Sequence, residues 1–230
     1  MKAAILQSNY IPWKGYFDLI NDVDFFVFYD CVQYTKNDWR NRNLIYINQN
    51  PQWLTIPIGA ESTSLMIDQV TPLNSKWQDL HFKTLYLGYK RAPYFHQLEN
   101  LMLEIYKNNE WQHLSQLNQF IIKEISHKIG IKTQFYNSRD LDITGDRIQR
   151  LVNICQQLNA SEYISGASAK NYLDGKENVF LQNNINLTYK EYPSYQPYSQ
   201  LFTPFVAAVS IVDMIANIHW DDIKNHIWNN

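Results

Sequence analysis

The chain has 230 residues, of which 45% are hydrophobic and 18% are charged, a balance typical of a folded globular protein rather than a disordered one. Its net charge of −2 argues against nonspecific nucleic-acid binding, which usually depends on a large basic excess. No run of about 18 apolar residues and no signal peptide is recognised, so we expect no membrane span, no nucleic-acid partner and a cytoplasmic protein.

The first 70 residues predict a strand, a helix, a second strand and a hairpin. That order implies parallel pairing of the first two strands, because a crossover helix separates them. Alternating apolar and polar residues flank the next turn and predict the hairpin. The predicted elements are strands at 3–7 and 24–30, a helix at 15–21, hairpin strands at 43–48 and 52–58, a polar loop at 61–64 and a short strand at 66–70.

The remaining residues predict helices followed by a second set of alternating strands and helices. The expected elements are helices at 75–91, 93–108, 115–129, 146–158 and 205–218, strands at 132–137, 162–165 and 186–191, and a Tyr- and Pro-rich loop at 193–204. The pattern predicts a single three-layer α/β domain over 1–230, with a mostly parallel sheet, an inserted β-hairpin and a helical subdomain at about 75–130.

Polar and aromatic side chains follow the first two predicted strands. Packing of a hydrophobic core does not require these side chains, so they are candidates for a binding site. Gln7, Tyr10, Lys14 and Tyr16 occupy the turn after the first strand, and such a strand-to-helix turn binds anions well. The turn lacks GxGxxG and GxxxxGK[ST], so it is no standard dinucleotide or nucleotide loop. An ordinary tight turn explains the pattern equally well.

The second strand is followed by two further groups of candidate ligand contacts. Asp30 is suited to orienting a sugar hydroxyl or amine, or to acting as a base, although an Asp also caps turns. Arginine forks suit phosphate or carboxylate. Because successive parallel strands end at one edge of a sheet, we expect these groups to share a pocket with the turn at 7–16. They are Asp30, Gln33 and Tyr34, then Trp39, Arg40, Asn41, Arg42 and Asn43.

Three other features carry candidate chemistry. Ser165, Gly166 and Lys170 follow a later strand and suit close approach of an anion, as would a plain strand-to-helix turn. His81 is the candidate general base, although a lone helical histidine is more often structural. Cys31 is a nucleophile candidate, but a small buried residue is the commoner role. Since neither cysteine lies in CxxC, no metal site is expected.

At these residues the chain resembles the WbqC-like family of bacterial proteins over nearly its whole length. The pattern departs from the family at Ser8, where Pro is common, and at Cys31, where a second Asp is common. The matching segments are ILQSNYIPWKGYFDLIN, VDFFVFYDCVQYTKNDWRNRNLI, PQWLTIPI, the W-x-x-x-H of Trp77 and His81, YKRAPYF, IGIKTQF and YISGASAKNYL.

The resemblance implies N-acyl or aminoacyl transfer to a nucleotide-linked amino sugar in surface-glycan biosynthesis, such as O-antigen. The implied acyl donor is a carrier-protein thioester or coenzyme A, and no tightly bound cofactor is expected. Arg40 and Arg42 would hold phosphate, and His81 or Asp30 would accept the proton of the attacking amine. Two alternatives remain: a nucleotidyltransferase-like or adenylate-forming enzyme, and a non-catalytic glycan- or nucleotide-binding protein. The fold-level likeness to nucleotidyltransferases transfers no chemistry by itself.

Overall fold

The computed structural model describes residues 1–228 and contains one parallel sheet and one separate hairpin. The strands are β1 (Lys2–Leu6), β2 (Phe25–Phe28), β3 (Arg42–Ile47), β4 (Asn50–Thr55), β5 (Gln134–Asn137), β6 (Glu162–Ser165) and β7 (Asn186–Tyr189). The parallel sheet has the order β5-β2-β1-β6-β7, and β3 pairs with β4 antiparallel. The predicted α/β class, parallel sheet and inserted hairpin are confirmed.

Helices pack on both faces of the parallel sheet. They are α1 (Lys14–Asn21), α2 (Lys76–Tyr89), α3 (Phe95–Tyr106), α4 (Leu114–Lys128), α5 (Arg147–Gln157), α6 (Lys170–Leu173), α7 (Glu177–Gln182), α8 (Ile211–Asn217) and α9 (Trp220–Ile227). The helices α2 to α4 coincide with the predicted helical segment. Their apolar side chains join the same core as β1, and a subdomain boundary there stays a prediction.

Alternate residues of the central strands build two cores. In β2, Phe26 and Phe28 face the core under α1 to α4, α8 and α9, whereas Phe25 and Val27 face the core under α5 to α7. Successive side chains of a strand point to opposite faces, so a strand covered on both sides is apolar throughout. This explains why β2 reads as an uninterrupted apolar run.

The chain reverses its direction across the sheet next to β1. From β1 it adds β2 and β5 on one side, and it then returns to add β6 and β7 on the other. The loops that leave β1 and β6 therefore diverge and leave a crevice at the carboxyl ends of these strands. This switch point is where an open α/β sheet usually binds its ligand.

Two predicted elements are wrong in type or extent. The strand expected at 66–70 is a single 3₁₀ turn, Ile67–Gln69, because Ile67 and Val70 are buried at a three-residue spacing rather than in alternation. The helix expected at 205–218 begins only at Ile211. Ser210 caps it by accepting a hydrogen bond from the Val212 amide, 3.3 Å away. The helices α7 and α9 were not predicted.

Candidate functional site

A cavity of about 860 Å³ occupies the switch point at the carboxyl edge of the sheet. Its walls are the loops after β1, β2 and β6, the first turn of α5 and one residue of the segment after β7. The polar and aromatic lining residues are Gln7, Asn9, Trp13, Tyr16, Tyr29, Gln33, Trp39, Arg40, Asp146, Arg147, Arg150, Ser165, Ser168, Tyr172 and Tyr192. Three arginines face a single carboxylate, so the cavity favours an anionic ligand.

The cavity brings together seven of the residues chosen from the sequence as substrate contacts. They are Gln7, Tyr16, Gln33, Trp39, Arg40, Ser165 and Gly166. The turn at 7–16 and the two segments after β2 each contribute residues to this cavity, as expected, and the loop after β6 joins them, which was not expected. Ligand contact by each residue stays a prediction.

The first turn of α5 supplies the two arginines that sequence reasoning missed. Asp146 caps the helix by accepting hydrogen bonds from the Ile148 and Gln149 amides, each at 2.9 Å. Because the helix dipole disfavours cations at this end, Arg147 and Arg150 beside the cap serve no helical purpose. That anomaly, an Asp cap followed by two arginines, was the available sequence signal.

Backbone and side-chain contacts fix the shape of this turn. Gly145 has a φ of +94°, and a Cβ there would lie 2.8 Å from the Gln149 side chain, so only glycine fits. The Arg150 Nε donates to the Gly145 carbonyl at 2.9 Å, and the Arg147 guanidinium lies 3.4 Å from the centroid of the Tyr172 ring. Among residues 1–228, no carboxylate lies within 4.0 Å of the charged nitrogens of either arginine.

Arg40 approaches the cavity from the opposite wall with its guanidinium already held. It donates to the Asn9 side-chain oxygen and lies 3.4 Å from Asp38. Burial tends to raise the pKa of Asp38, but Arg40 and the hydrogen bonds around the carboxylate outweigh it and hold the pKa below its usual range. Arg40 therefore has a carboxylate beside it, whereas the α5 arginines have none within 4.0 Å among residues 1–228.

Aromatic rings line the remaining walls. Trp13 packs over Gly15, where a Cβ would come within 2.3 Å of the indole, so this glycine makes room for the tryptophan. The Trp13 ring also meets Tyr192 edge to face, with centroids 5.1 Å apart. Burial raises the pKa of Tyr29, and the neighbouring Arg150 partly offsets that increase. Such rings suit the faces of a base or sugar.

The turn after β1 holds a strained residue. Ile11 has a φ of +36°, which a β-branched side chain rarely adopts. Asn43 donates to the carbonyls of Tyr10 and Ile11 at 3.0 and 3.1 Å, and the Ser210 hydroxyl donates to the Ile11 carbonyl at 2.7 Å. Asn43 does not line the large cavity, but its hydrogen bonds fix the turn that forms one of the cavity walls.

His81 lies outside the cavity in a satisfied polar cluster. Its Nε2 donates to the Thr55 carbonyl at 3.1 Å, so its Nδ1 accepts from the Tyr10 hydroxyl at 2.8 Å, and the Tyr106 hydroxyl contacts Tyr10. Burial lowers the pKa of His81 to about 4. With both nitrogens engaged and no access to the cavity, His81 and Tyr10 are not placed to touch a ligand.

Asp30 is also buried away from the cavity. Its carboxylate accepts from the Ser8 amide at 2.8 Å and from the Gln119 side chain at 2.9 Å. Burial raises its pKa, although these hydrogen bonds oppose the increase. The carboxylate thus positions the loop after β1. Asp30 does not line the cavity, so it is not placed to act there as a base.

Five other predicted contacts lie outside the large cavity. Arg42 donates to the Asn37 carbonyl at 2.6 Å and covers the Trp53 ring, so only one of the two predicted phosphate-binding arginines faces the cavity. Asn41 donates to the Ile56 carbonyl at 2.9 Å, and Tyr34 is buried against the segment around Leu65. Each of these residues holds its own segment against a neighbouring one.

Lys14 and Lys170 point elsewhere as well. The Lys14 ammonium lies 4.8 Å from the Tyr195 ring centroid, and burial lowers its pKa despite the nearby Asp213. Lys170 is exposed and its ammonium lies 6.0 Å from the Tyr189 ring centroid. Neither lysine lines the cavity, because the turns that carry them direct these side chains to other faces.

Cys31 is buried beside Ser138 and Arg139 and does not line the cavity. Burial raises the pKa of its thiol, which is the reverse of what an activated nucleophile needs. Within residues 1–228, no helix is long and apolar enough to cross a membrane. The same part of the chain contains no group of three or more His, Cys, Asp or Glu side chains placed to hold a metal ion.

The sheet order defines a doubly wound α/β protein with a cavity at the switch point. The chain belongs to the WbqC-like protein family, because the family model matches residues 7–225. It is 41% identical over 218 residues to uncharacterized protein Rv1507c of Mycobacterium tuberculosis, a match that covers 94% of both chains. No solved structure matches the chain significantly.

Proposed function

We propose that this protein is a transferase that binds a nucleotide-linked amino sugar in the switch-point cavity and acylates its amine. The observation that carries the proposal is the pair Arg147 and Arg150 at the amino-terminal end of α5, facing a 860 Å³ cavity without a carboxylate partner. Guanidinium forks suit a pyrophosphate.

The remaining walls suit the uncharged parts of such a substrate. Trp13, Tyr172 and Tyr192 offer ring faces and edges for a base or a sugar. Gln7 and Ser168 lie at the cavity surface and supply donors and acceptors for hydroxyl groups. The cavity is within the usual size range of small-molecule sites, about 300–1,000 Å³.

The proposed reaction joins the sugar amine to a thioester carbonyl carbon. The carbon–nitrogen bond forms, the carbon–sulfur bond breaks, and the proton lost by nitrogen ends on the departing sulfur as a thiol. Asp30 and His81 are both buried outside the cavity, so we give them positioning roles rather than contact with the reacting atoms. The WbqC-like resemblance supports the choice of acyl transfer.

The test is calorimetry with UDP-glucosamine, UMP and glucosamine, followed by a thiol-release assay with acetyl-coenzyme A. We expect UDP-glucosamine to bind more tightly than either fragment, since it engages both the arginines and the aromatic walls. Thiol release that depends on the amino sugar, and not on UDP-glucose, identifies acyl transfer. Failure of every nucleotide to bind contradicts the site itself.

A second function, nucleotidyl transfer, is favoured by the position of the cavity beside β1 at a switch point, where α/β enzymes hold nucleotide phosphates. In that reaction a sugar phosphate would attack the α-phosphate of a nucleoside triphosphate and release pyrophosphate. Such phosphoryl chemistry normally depends on magnesium. Magnesium-dependent release of pyrophosphate from a nucleoside triphosphate and glucosamine 1-phosphate therefore separates the two functions.

A further inference from the structure

A smaller slot of about 250 Å³ adjoins the switch-point cavity. It is lined by Asn9, Pro12, Trp13, Trp39, Asn43 and Ala208. Asn9, Trp13 and Trp39 also line the larger cavity, so the two spaces share one wall. The two spaces therefore lie side by side at these three side chains.

The slot is apolar apart from its boundary with the cavity. Asn43 lines it, but this amide already donates to two carbonyls and accepts from the Leu44 amide at 2.8 Å. The Asn9 side-chain oxygen accepts from Arg40, which fixes the orientation of the amide and leaves its NH₂ group as a donor at the boundary. The slot thus pairs a largely apolar chamber with an oriented amide donor from Asn9.

We propose that this slot holds the acyl group of the donor thioester, with the Asn9 amide donating to its carbonyl oxygen. The inference rests on the proposed function and names the second substrate of the same site. A nucleobase is a poorer occupant, because its several acceptor and donor edge groups would face a wall made mostly of Pro12, Ala208 and indole carbon. An acyl chain needs no partner beyond the boundary donor.

The chemistry places the donor where negative charge develops. When the sugar amine attacks, the carbonyl π electrons move to oxygen, and an oriented amide stabilises that oxyanion better than the ground-state carbonyl. Collapse of the intermediate expels the thiolate, which receives the proton from nitrogen. Arg40 acts as a positioning residue, because it holds Asn9 and lies on the shared wall.

The slot volume limits the acyl group. A space of about 250 Å³ corresponds to roughly eight water-sized volumes at about 30 Å³ each. The slot therefore suits a short acyl group of roughly eight non-hydrogen atoms or fewer. Long fatty acyl chains would extend past Ala208 into solvent.

The test compares two neighbouring exposed alanines. Ala208 lines the slot and Ala207 does not, so Ala208→Leu narrows the slot while Ala207→Leu is its matched control. The probes are acetyl, hexanoyl and decanoyl thioesters of N-acetylcysteamine, with tryptophan fluorescence as a readout because Trp13 and Trp39 line the slot. Calorimetry with UDP measures the neighbouring cavity.

We expect Ala208→Leu to weaken hexanoyl binding at least tenfold and to leave acetyl and UDP binding within twofold of the wild type. Ala207→Leu should change none of them. Equal responses of the two variants, with UDP binding intact, overturn the slot assignment alone. Absence of UDP binding in the wild type overturns the proposed function instead.

A second variant examines the donor. Asn9→Asp keeps an acceptor for Arg40 but removes the amide donor, so we expect turnover to fall by about 10²–10³-fold. Because the new carboxylate also lines the switch-point cavity, KM for the anionic amino sugar should rise as well, so turnover at saturating substrate is the readout of the lost donor. If only KM changes and turnover stays at the wild-type value, the oxyanion role of Asn9 is contradicted.

Discussion

The switch-point cavity and the His81 cluster are both rich in aromatic and polar side chains, yet they differ in how those side chains are satisfied. In the cluster, His81, Tyr10, Tyr106 and Thr55 form a closed chain of hydrogen bonds. In the cavity, the α5 arginines face open space without a carboxylate partner. The difference teaches that polar residues alone do not mark a candidate site: the cluster is buried, whereas the α5 arginines line an open cavity.

The largest expected effect separates affinity from stability at the cavity. The double variant Arg147→Ala/Arg150→Ala should weaken UDP-glucosamine binding by about 3–6 kcal/mol, since each lost charge-assisted contact costs about 1.5–3 kcal/mol. Thermal melting should change little. The control is Arg91→Ala, an exposed arginine outside the cavity, which should leave affinity unchanged. Calorimetry decides the outcome, and equal affinities of the double variant and the wild type would exclude these arginines from the site.

The next effect belongs to the satisfied cluster and appears as a pH dependence of stability. The pKa of His81 falls from 6.5 in the unfolded chain to about 4 in the folded one, so the unfolded state binds the proton more readily. The neutral, buried His81 therefore contributes fully to the free energy of unfolding above pH 6.5, and this contribution is lost as the pH falls toward 4. The loss is about 3 kcal/mol over that window.

Urea unfolding between pH 4 and pH 7 measures this loss in the wild type and in His81→Gln, whose amide can still donate to Thr55. The variant should lack the acid-induced loss assigned to His81. His96→Gln, at an exposed histidine, is the matched control and should retain it. The difference between the variants isolates His81 from the raised pKa of Asp30 and of Asp213, which act in the opposite direction. Identical pH profiles in all three proteins would show that His81 is not buried as a neutral residue.

A smaller effect joins stability to the site through the strained turn. Asn43→Ala removes the donors to Tyr10 and Ile11 and should lower the free energy of unfolding by about 1–3 kcal/mol. Because this turn carries Asn9 and Trp13, UDP-glucosamine affinity should fall as well. Asn41→Ala loses one buried hydrogen bond elsewhere and should reduce stability without reducing affinity. Chemical denaturation and calorimetry distinguish the two variants. Equal UDP-glucosamine affinities of Asn43→Ala and Asn41→Ala would show that the turn does not shape the binding site.

The smallest effect is a methyl group placed in the cavity. Gly166 has an ordinary φ of −63°, and a Cβ there would meet nothing closer than Leu6 Cδ1 at 4.0 Å. Gly166→Ala should therefore leave the free energy of unfolding unchanged or raise it by about 0.4–1 kcal/mol. It should weaken UDP-glucosamine binding by about 1 kcal/mol, since the methyl occupies ligand space. Unchanged affinity would mean that the ligand does not approach the loop after β6.

The sequence predicted the sheet better than it predicted the site. Apolar runs at β1 and β2 identified buried parallel strands, because strands covered on both faces carry no alternation. The same reasoning found the loops that form the cavity, since parallel strands end at one edge. It could not separate Arg40 from Arg42, because their side chains diverge only when the hairpin pairs and Trp53 takes up the second guanidinium.

The amino-acid sequence by itself determined the α/β class, the family and the edge of the sheet that carries the cavity, because these follow from local periodicity and motif order. Only the tertiary structure decided which polar groups were already paired. Asp30 and Gln119 are 89 residues apart, and His81 meets Tyr10 across 71 residues, so neither bond is visible in local sequence. Hydrogen-bond satisfaction is a property of packed partners, which is why it assigned the arginines of α5 to the cavity and His81 to the core.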